Sequence, residues 1–346
     1  MLETEKSGFI KVFQKAEERR AKSKFGEAIT LYIKAKGLCG KDNEARLSCL
    51  LALGDCYRMT GIYDKAGKSY EKAHKIAKTS SPASAPDALV GKGLTLRGMG
   101  NHREALKIFS KCQQLYEISG DEAGVAFSLW AKGGAYRIKG DLKKTIETFK
   151  RALNLFTVLK DKSGIGYSFC GLGGALRVSG RFDDSYRFYS KANRIFIRLK
   201  DTFGIAYSYC GIANARRMKG DFKGSLKYFK EAKSYYKKIG DRVSFAYTLW
   251  GEGTALKMMG NLQNAELDFL KAQKLFKLTE DERGLSYCGL SMAELNFLRG
   301  KPHRAIPLFK AALKRAKRFS FGVEIKYATR FLHAAREGRC FPINLP

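Results

Sequence analysis

The sequence predicts an all-α solenoid of about eight helix–turn–helix repeats followed by a C-terminal capping helix. Glycines recur at intervals of 40 residues, at Gly100, Gly140, Gly180, Gly220, Gly260 and Gly300. Three further columns keep this register: the aspartates Asp121, Asp161, Asp201, Asp241 and Asp281, the small residues Gly93, Gly133, Gly173, Ala213, Gly253 and Ala293, and the aromatics Phe109, Phe149, Tyr189, Phe229, Phe269 and Phe309. Self-similarity at a fixed period is the signature of a repeat array.

Each repeat is predicted to contain two helices joined by short turns. In residues 182–199 the apolar side chains fall at spacings of three and four, which is one face of a helix. Residues 164–178 form the preceding helix, and Gly180 ends it because glycine readily adopts the left-handed conformation. Asp201 stands before the next first helix, as expected of an N-cap.

The two ends of the chain differ from the middle repeats. Residues 11–24 and 310–318 are predicted to be basic helices, and residues 81–86 interrupt the register at one turn. Residues 1–320 therefore form the repeat array. Residues 321–346 form an amphipathic helix that covers the last repeat and an irregular tail, FPINLP.

Composition favours a binding protein over an enzyme. Among 346 residues, 65 are Lys or Arg and 33 are Asp or Glu, which gives a net charge of +32 and predicts attraction to anions. About half of that excess is expected to be solvated lysine on outer helix faces. The histidines are scattered, so we expect no metal site, no cofactor and no catalytic constellation.

Sequence features also bear on location. The first residues lack the pattern of a signal peptide, and no apolar run is long enough to span a membrane. The eight cysteines show no paired spacing and are expected to be reduced thiols. A cytoplasmic protein without integral membrane association is therefore predicted.

The stretch GIANARRMKGDFKGSLKYF, residues 211–229, resembles the tetratricopeptide repeat family. The small residue Ala213, the turn Gly220 followed by Phe222, and the aromatic Phe229 carry the resemblance, which extends over roughly residues 10–318. The 40-residue spacing is similar to that of the Pins/LGN-type adaptors. The resemblance implies a right-handed superhelix whose first helices line a concave, ligand-binding groove.

Register places three sets of candidate ligand-binding residues on the first helices. The cation column, three residues before each turn glycine, comprises Arg58, Arg97, Arg137, Arg177, Arg217 and Lys257. Aromatic candidates are Trp130 and Trp250, ten residues before the glycine, and Tyr167, Tyr207, Tyr247 and Tyr287, thirteen before it. Asn214 completes the set. In the Pins/LGN-type adaptors the matching cations hold an acidic peptide and the matching asparagine contacts its backbone, which is implied here at Arg217 and Asn214.

Several interpretations of these columns remain open. The stretch CGLGGALRVSGRF, residues 170–182, is not expected to bind nucleotide, because no strand precedes it. The extra helical glycines, such as Gly134, Gly171 and Gly174, reflect either tight packing or the close approach of a ligand. The tyrosines either pack between repeats or contact the ligand. The cations either pair with glutamates or bind an external anion; acidic residues are scarce on the inner face.

The predicted function is a non-enzymatic adaptor that binds an extended acidic segment of a partner protein. The alternative is an RNA-binding scaffold, with single-stranded RNA following the same basic groove and its bases stacking on the aromatic residues. The end repeats additionally offer a surface for self-association.

Overall fold

A computed structural model describes residues 3–339 and 342–346, with side chains from residue 7 onward, and its ordered elements in this range are helices. Their bounds are α1 Glu3–Ala21, α2 Phe25–Gly37, α3 Asn43–Met59, α4 Tyr63–Ser80, α5 Ala85–Gly98, α6 His102–Ser119, α7 Glu122–Lys139, α8 Leu142–Val158, α9 Lys162–Val178, α10 Phe182–Leu199, α11 Thr202–Met218, α12 Phe222–Ile239, α13 Arg242–Met258, α14 Leu262–Leu278, α15 Glu282–Leu298, α16 Pro302–Phe319 and α17 Gly322–Arg336.

Successive helices pack against each other, so that α1 to α16 form eight pairs and α17 packs on α16. The predicted all-α solenoid is confirmed. A short 3₁₀ turn at Pro82–Ser84 accommodates the interruption in the register. Residues 342–346 are irregular as expected, whereas Phe341 of the predicted tail lies outside the described residues.

The turns form as the repeated glycines and aspartates predict. Gly180 has φ +84°, a left-handed conformation that glycine adopts without steric cost. The Asp161 carboxylate accepts a hydrogen bond of 3.0 Å from the Gly164 amide at the start of α9. The carboxylate of Asp201 does the same for Gly204 at 2.9 Å. These N-caps satisfy amides that the helix itself leaves unpaired.

Aromatic side chains of the second helices explain two glycine columns. Tyr189 of α10 inserts between α9 and α11. A Cβ atom on Gly173 would lie 2.8 Å from the Tyr189 ring, and one on Gly211 would lie 2.1 Å from it. Phe149 is held in the same way between Gly133 and Gly171. These glycines therefore serve packing between repeats, which decides the open question in favour of packing at these positions.

The two halves of the array contact each other. Phe25 of the first pair shares a buried cluster with Ala206 and Tyr236. Farther along, an Nη2 of Arg103 donates a 2.7 Å hydrogen bond to the hydroxyl of Ser320. The concave surface that the family resemblance implies is consequently enclosed, and we call the enclosed space the inner channel.

No helix in the described part of the chain is both long and apolar enough to cross a bilayer. The seven cysteines within the described residues are free, and Cys340 lies outside them. Residues 7–339 and 342–346 hold no group of His, Cys, Asp or Glu side chains arranged for a metal ion.

Candidate functional site

The cation column reaches from each repeat towards the next one. The Arg97 guanidinium lies 5.3 Å from the ring centroid of Trp130, and its Nη1 donates a 3.3 Å hydrogen bond to the Ala131 carbonyl. Three repeats later, the Arg217 guanidinium lies 5.6 Å from the centroid of Trp250. The two predicted tryptophans thus carry arginines on their faces, a favourable cation–π arrangement.

Gly134 and Gly174 make room for these arginines. A Cβ atom on Gly134 would lie 2.4 Å from Nη1 of Arg97, and one on Gly174 would lie 2.4 Å from Nη1 of Arg137. Of the two interpretations left open for these glycines, packing applies here, because an arginine of the preceding repeat already fills the space. Each of these two glycines therefore packs against the arginine of the preceding repeat.

Cations at both ends of the column are paired within the protein. The Arg58 guanidinium donates to the Asp55 carboxylate at 3.2 Å. At the other end, the Lys257 ammonium contacts the Glu294 carboxylate at 2.5 Å, and both side chains are fully buried. Internal pairing, which the sequence left open, therefore applies at these two positions.

Segment 342–346 lies in the inner channel beside Arg217 and Lys257. Nη2 of Arg217 donates a 2.7 Å hydrogen bond to the Leu345 carbonyl, and Nη1 donates to the Asn344 side chain. The Lys257 ammonium donates to the Ile343 carbonyl at 2.8 Å. The chain's own residues therefore occupy this end of the column.

The middle of the column is different. Nε of Arg137, and Nε and Nη1 of Arg177, are buried and have no hydrogen-bond partner among the described residues. Both arginines line a cavity of about 150 Å³. Its other lining residues are Val178, Tyr189, Tyr207, Cys210, Gly211, Asn214, Tyr236, Ser244, Tyr247, Trp250, Arg283, Tyr287 and Pro346, and none of these has an acidic side chain. The cavity is a cationic site with unused donors.

Burial and neighbouring positive charges lower the pKa of two arginines in the cation column. Burial lowers the pKa of Arg217 to about 9, and the positive charge of Arg177 acts in the same direction. Burial also lowers the pKa of Arg97 to about 10, with Arg58 and Arg137 adding to the effect. A bound anion would offset this repulsion.

Of the predicted tyrosines, two hold the turns of the next repeat. The Tyr167 hydroxyl donates to the Asp201 carboxylate at 2.8 Å, and the Tyr247 hydroxyl donates to Asp281 at 3.2 Å. The cavity is nevertheless lined by Tyr207, Tyr247 and Tyr287. This column therefore contributes both to packing and to the wall of the site.

Asn214 orients an arginine. Its side-chain Oδ1 accepts a 3.0 Å hydrogen bond from Nη2 of Arg217, and its Nδ2 donates to the Cys210 carbonyl at 2.9 Å. These bonds fix the guanidinium towards segment 342–346. In this structure Asn214 acts on Arg217 and makes no hydrogen bond to the segment.

Sequence reasoning missed several residues of the site, among them Asn344, Leu345 and Arg283. Asn344 and Leu345 belong to a tail that carries no repeat register, and a polar residue between two apolar ones was its only signal. Arg283 lies at the start of α15, outside the cation column. Its Nε donates to the buried Glu324 carboxylate at 2.7 Å, a pairing between repeats that no pattern indicates.

Comparison with known proteins supports the fold. Residues 84–157 match the sequence profile of the family described as Tetratricopeptide repeat. A Rap protein crystallised in complex with Competence and Sporulation Factor superposes with a TM-score of 0.63 at 13% identity, covering 96% of this chain and 98% of that one. The apo form of RapI gives 0.58 at 16% identity, covering 78% and 99%. No curated protein matches the chain in sequence. The resemblance to the Pins/LGN-type adaptors is not confirmed.

Proposed function

We propose that this chain, a tetratricopeptide repeat protein, is a non-enzymatic scaffold that binds an extended acidic segment of a partner protein in its inner channel. The buried, unpartnered nitrogens of Arg177 carry the proposal. A buried donor without an acceptor costs about 1–3 kcal/mol, and more for a charged group. A carboxylate from a partner would accept these bonds, because the guanidinium fork matches its geometry.

The size of the cavity favours a single side chain. Its volume of about 150 Å³ equals that of an engineered cavity that admits benzene. Pockets for drug-sized ligands occupy roughly 300–1,000 Å³. An aspartate or glutamate side chain therefore suits the site, and the rest of the partner's segment would follow the channel.

Two further observations support this class of function. Tetratricopeptide repeats form protein-interaction scaffolds, and a Rap protein of similar fold was crystallised with a bound factor. For location, we propose the cytoplasm, which the free cysteines of the described residues support because reduced thiols are typical of a reducing compartment.

The test measures binding of a labelled, end-capped peptide that alternates aspartate with alanine. Arg177→Gln should weaken this binding about tenfold or more, since a hydrogen bond to a charged group contributes about 1.5–3 kcal/mol. Arg194→Gln, which removes an exposed arginine from the outer face of α10, is the matched control and should leave affinity unchanged. Equal weakening by both variants, or no binding at all, would overturn the proposal.

Single-stranded RNA is the competing ligand in the same assay. The outer faces of α10 and α12 carry exposed cations, among them Lys191, Arg194, Lys227 and Lys230. RNA binding that falls steeply with salt and is reduced by Arg194→Gln, but not by Arg177→Gln, would indicate a polyanion site on the outer surface instead.

A further inference from the structure

We infer that segment 342–346 is a peptide ligand built into the chain, and that a partner segment enters the inner channel by displacing it. The inference rests on the proposed function, because it concerns the same channel. It adds the chemistry of the partner's segment. It also explains why the natural chain would bind that segment weakly, because segment 342–346 occupies the channel until it is displaced.

Several of the hydrogen bonds that fix the segment involve its main-chain amide and carbonyl groups, as in the binding of an extended peptide. The Ile343 carbonyl accepts from the Lys257 ammonium, and the Ile343 amide donates to the Glu294 carboxylate at 2.5 Å. The Leu345 carbonyl accepts from Arg217. The buried ion pair of Lys257 and Glu294 therefore binds both main-chain polar groups of Ile343. This binding requires no acidic side chain in the ligand.

One side chain of the segment makes a reciprocal contact. The Asn344 side-chain oxygen accepts from Nη1 of Arg217, while its Nδ2 donates a 2.8 Å hydrogen bond to the Arg217 main-chain carbonyl. An aspartate at this position would lose the second bond, because a carboxylate has no donor. The site therefore selects an amide at this position.

An apolar anchor completes the fit. Leu345 is 0% exposed and belongs to the same buried cluster as Trp250 and Tyr287. Main-chain hydrogen bonds with side-chain pockets at selected positions are the usual way in which proteins recognise extended peptides.

The direction of the segment relates it to the unused cations. Along the segment, Ile343 meets Lys257, Asn344 meets Arg217, and Pro346 lines the cavity that contains Arg137 and Arg177. The segment thus runs towards the two arginines that have unpartnered nitrogens. A partner segment with an asparagine between apolar residues, followed by an acidic side chain, would reproduce these contacts and add one to Arg177.

Covalent connection makes the built-in segment a strong competitor. A tethered ligand acts at an effective concentration on the order of millimolar. A partner lacking the additional acidic contact would therefore compete poorly. The acidic side chain is therefore the feature that lets a partner's segment displace the otherwise similar segment 342–346.

The experiment uses the full-length chain and end-capped, labelled peptides. One peptide, PINLP, copies residues 342–346, and a second, PINLPE, adds a glutamate. In the variant Asn344→Ala/Leu345→Asp the built-in segment should leave the channel, so PINLP should bind at least tenfold more tightly than it binds the natural chain. PINLPE should bind more tightly than PINLP to both proteins.

Matched variants separate displacement from other effects. Pro342→Ala changes an exposed residue of the same segment and should behave as the natural chain does. Adding Arg217→Gln to the double variant should abolish the gain. Circular dichroism verifies folding; if the double variant unfolds, Asn344→Ala alone should give a smaller gain in PINLP affinity. Equal affinity of PINLP for a folded variant and the natural chain would overturn the inference and make the segment a purely structural element.

Failure of this inference is distinguishable from failure of the proposed function. If the aspartate–alanine peptide binds in a way that depends on Arg177, but PINLP gains no affinity for the variant, the proposed function stands and the displacement of segment 342–346 is contradicted. If PINLP gains affinity, but neither PINLPE nor the aspartate–alanine peptide is preferred, the channel binds peptides and its specificity for acidic segments is contradicted.

Discussion

At the scale of single residues, Gly171 and Gly174 lie one turn apart on α9 but meet different neighbours. A Cβ atom on Gly171 would lie 2.4 Å from the ring of Phe149, which is 3% exposed and fixed in the core. One on Gly174 would lie 2.4 Å from the end of the Arg137 side chain. A long side chain beside a cavity can move, whereas a packed ring cannot.

Alanine at these two positions should therefore have different effects on stability. Gly171→Ala should lower the free energy of unfolding by about 1–3 kcal/mol, because it overpacks the core around Phe149. Gly174→Ala should be close to neutral, since the gain in helix propensity of about 1 kcal/mol offsets the displacement of Arg137. Urea unfolding measures both values; equal losses would show that Arg137 is fixed as firmly as Phe149.

At the scale of elements, the N-cap aspartates of the first helices differ in whether they also accept a hydrogen bond from the preceding repeat. Asp161 and Asp201 both cap their helices. Only Asp201 also accepts a hydrogen bond from a tyrosine of the preceding first helix, Tyr167. The same residue type in the same register thus performs one task in α9 and two in α11.

Removing these carboxylates should separate the two tasks. Asp161→Ala should cost about 1 kcal/mol, as expected for loss of an N-cap. Asp201→Ala should cost about 1 kcal/mol more, because the Tyr167 hydroxyl also loses its acceptor. Adding Tyr167→Phe to Asp201→Ala should recover part of that additional loss. Thermal or urea unfolding of the three variants gives the comparison, and identical losses for Asp161→Ala and Asp201→Ala would contradict it.

At the scale of the whole molecule, contact between the two halves changes the environment of two repeated aspartates. The turn at Gly61 packs against Val243 and Thr279, each two residues from an N-cap aspartate. Asp241 and Asp281 are consequently 4% and 3% exposed, while their equivalent Asp161 is exposed. Burial raises the pKa of Asp241 to about 6, against the effect of its hydrogen bonds from Ser244. Burial raises the pKa of Asp281 to about 6 as well.

These shifts predict a loss of stability with rising pH. The folded-state pKa lies above the unfolded value of about 3.9, so the folded chain binds more protons between about pH 4 and pH 6. The contribution of each group is complete below pH 4 and is lost as the pH rises through 6, about 2–3 kcal/mol per carboxyl. Asp241→Asn keeps the N-cap and should flatten this part of the profile.

The measurement is the free energy of unfolding at intervals from pH 4 to pH 7. Asp161→Asn, at an exposed cap of the same type, is the control and should leave the profile of the natural chain unchanged. Parallel profiles for Asp241→Asn and the natural chain would show that Asp241 does not contribute to the pH dependence.

The sequence by itself determined the local and repeated features of this protein. A period of 40 residues, the turn glycines, the capping aspartates and the aromatic side chains specify helix pairs and their stacking, because each depends on neighbours within one or two repeats. The positions of Arg177 and the other inner cations followed from the same register. Tertiary structure decided that Arg217 and Lys257 bind segment 342–346, because that segment comes from far away in the chain. Asn344 reaches Arg217 across 127 positions, and the Gly61 turn buries Asp241. Such contacts depend on the accumulated curvature of the whole array, which no single repeat encodes in a readable pattern.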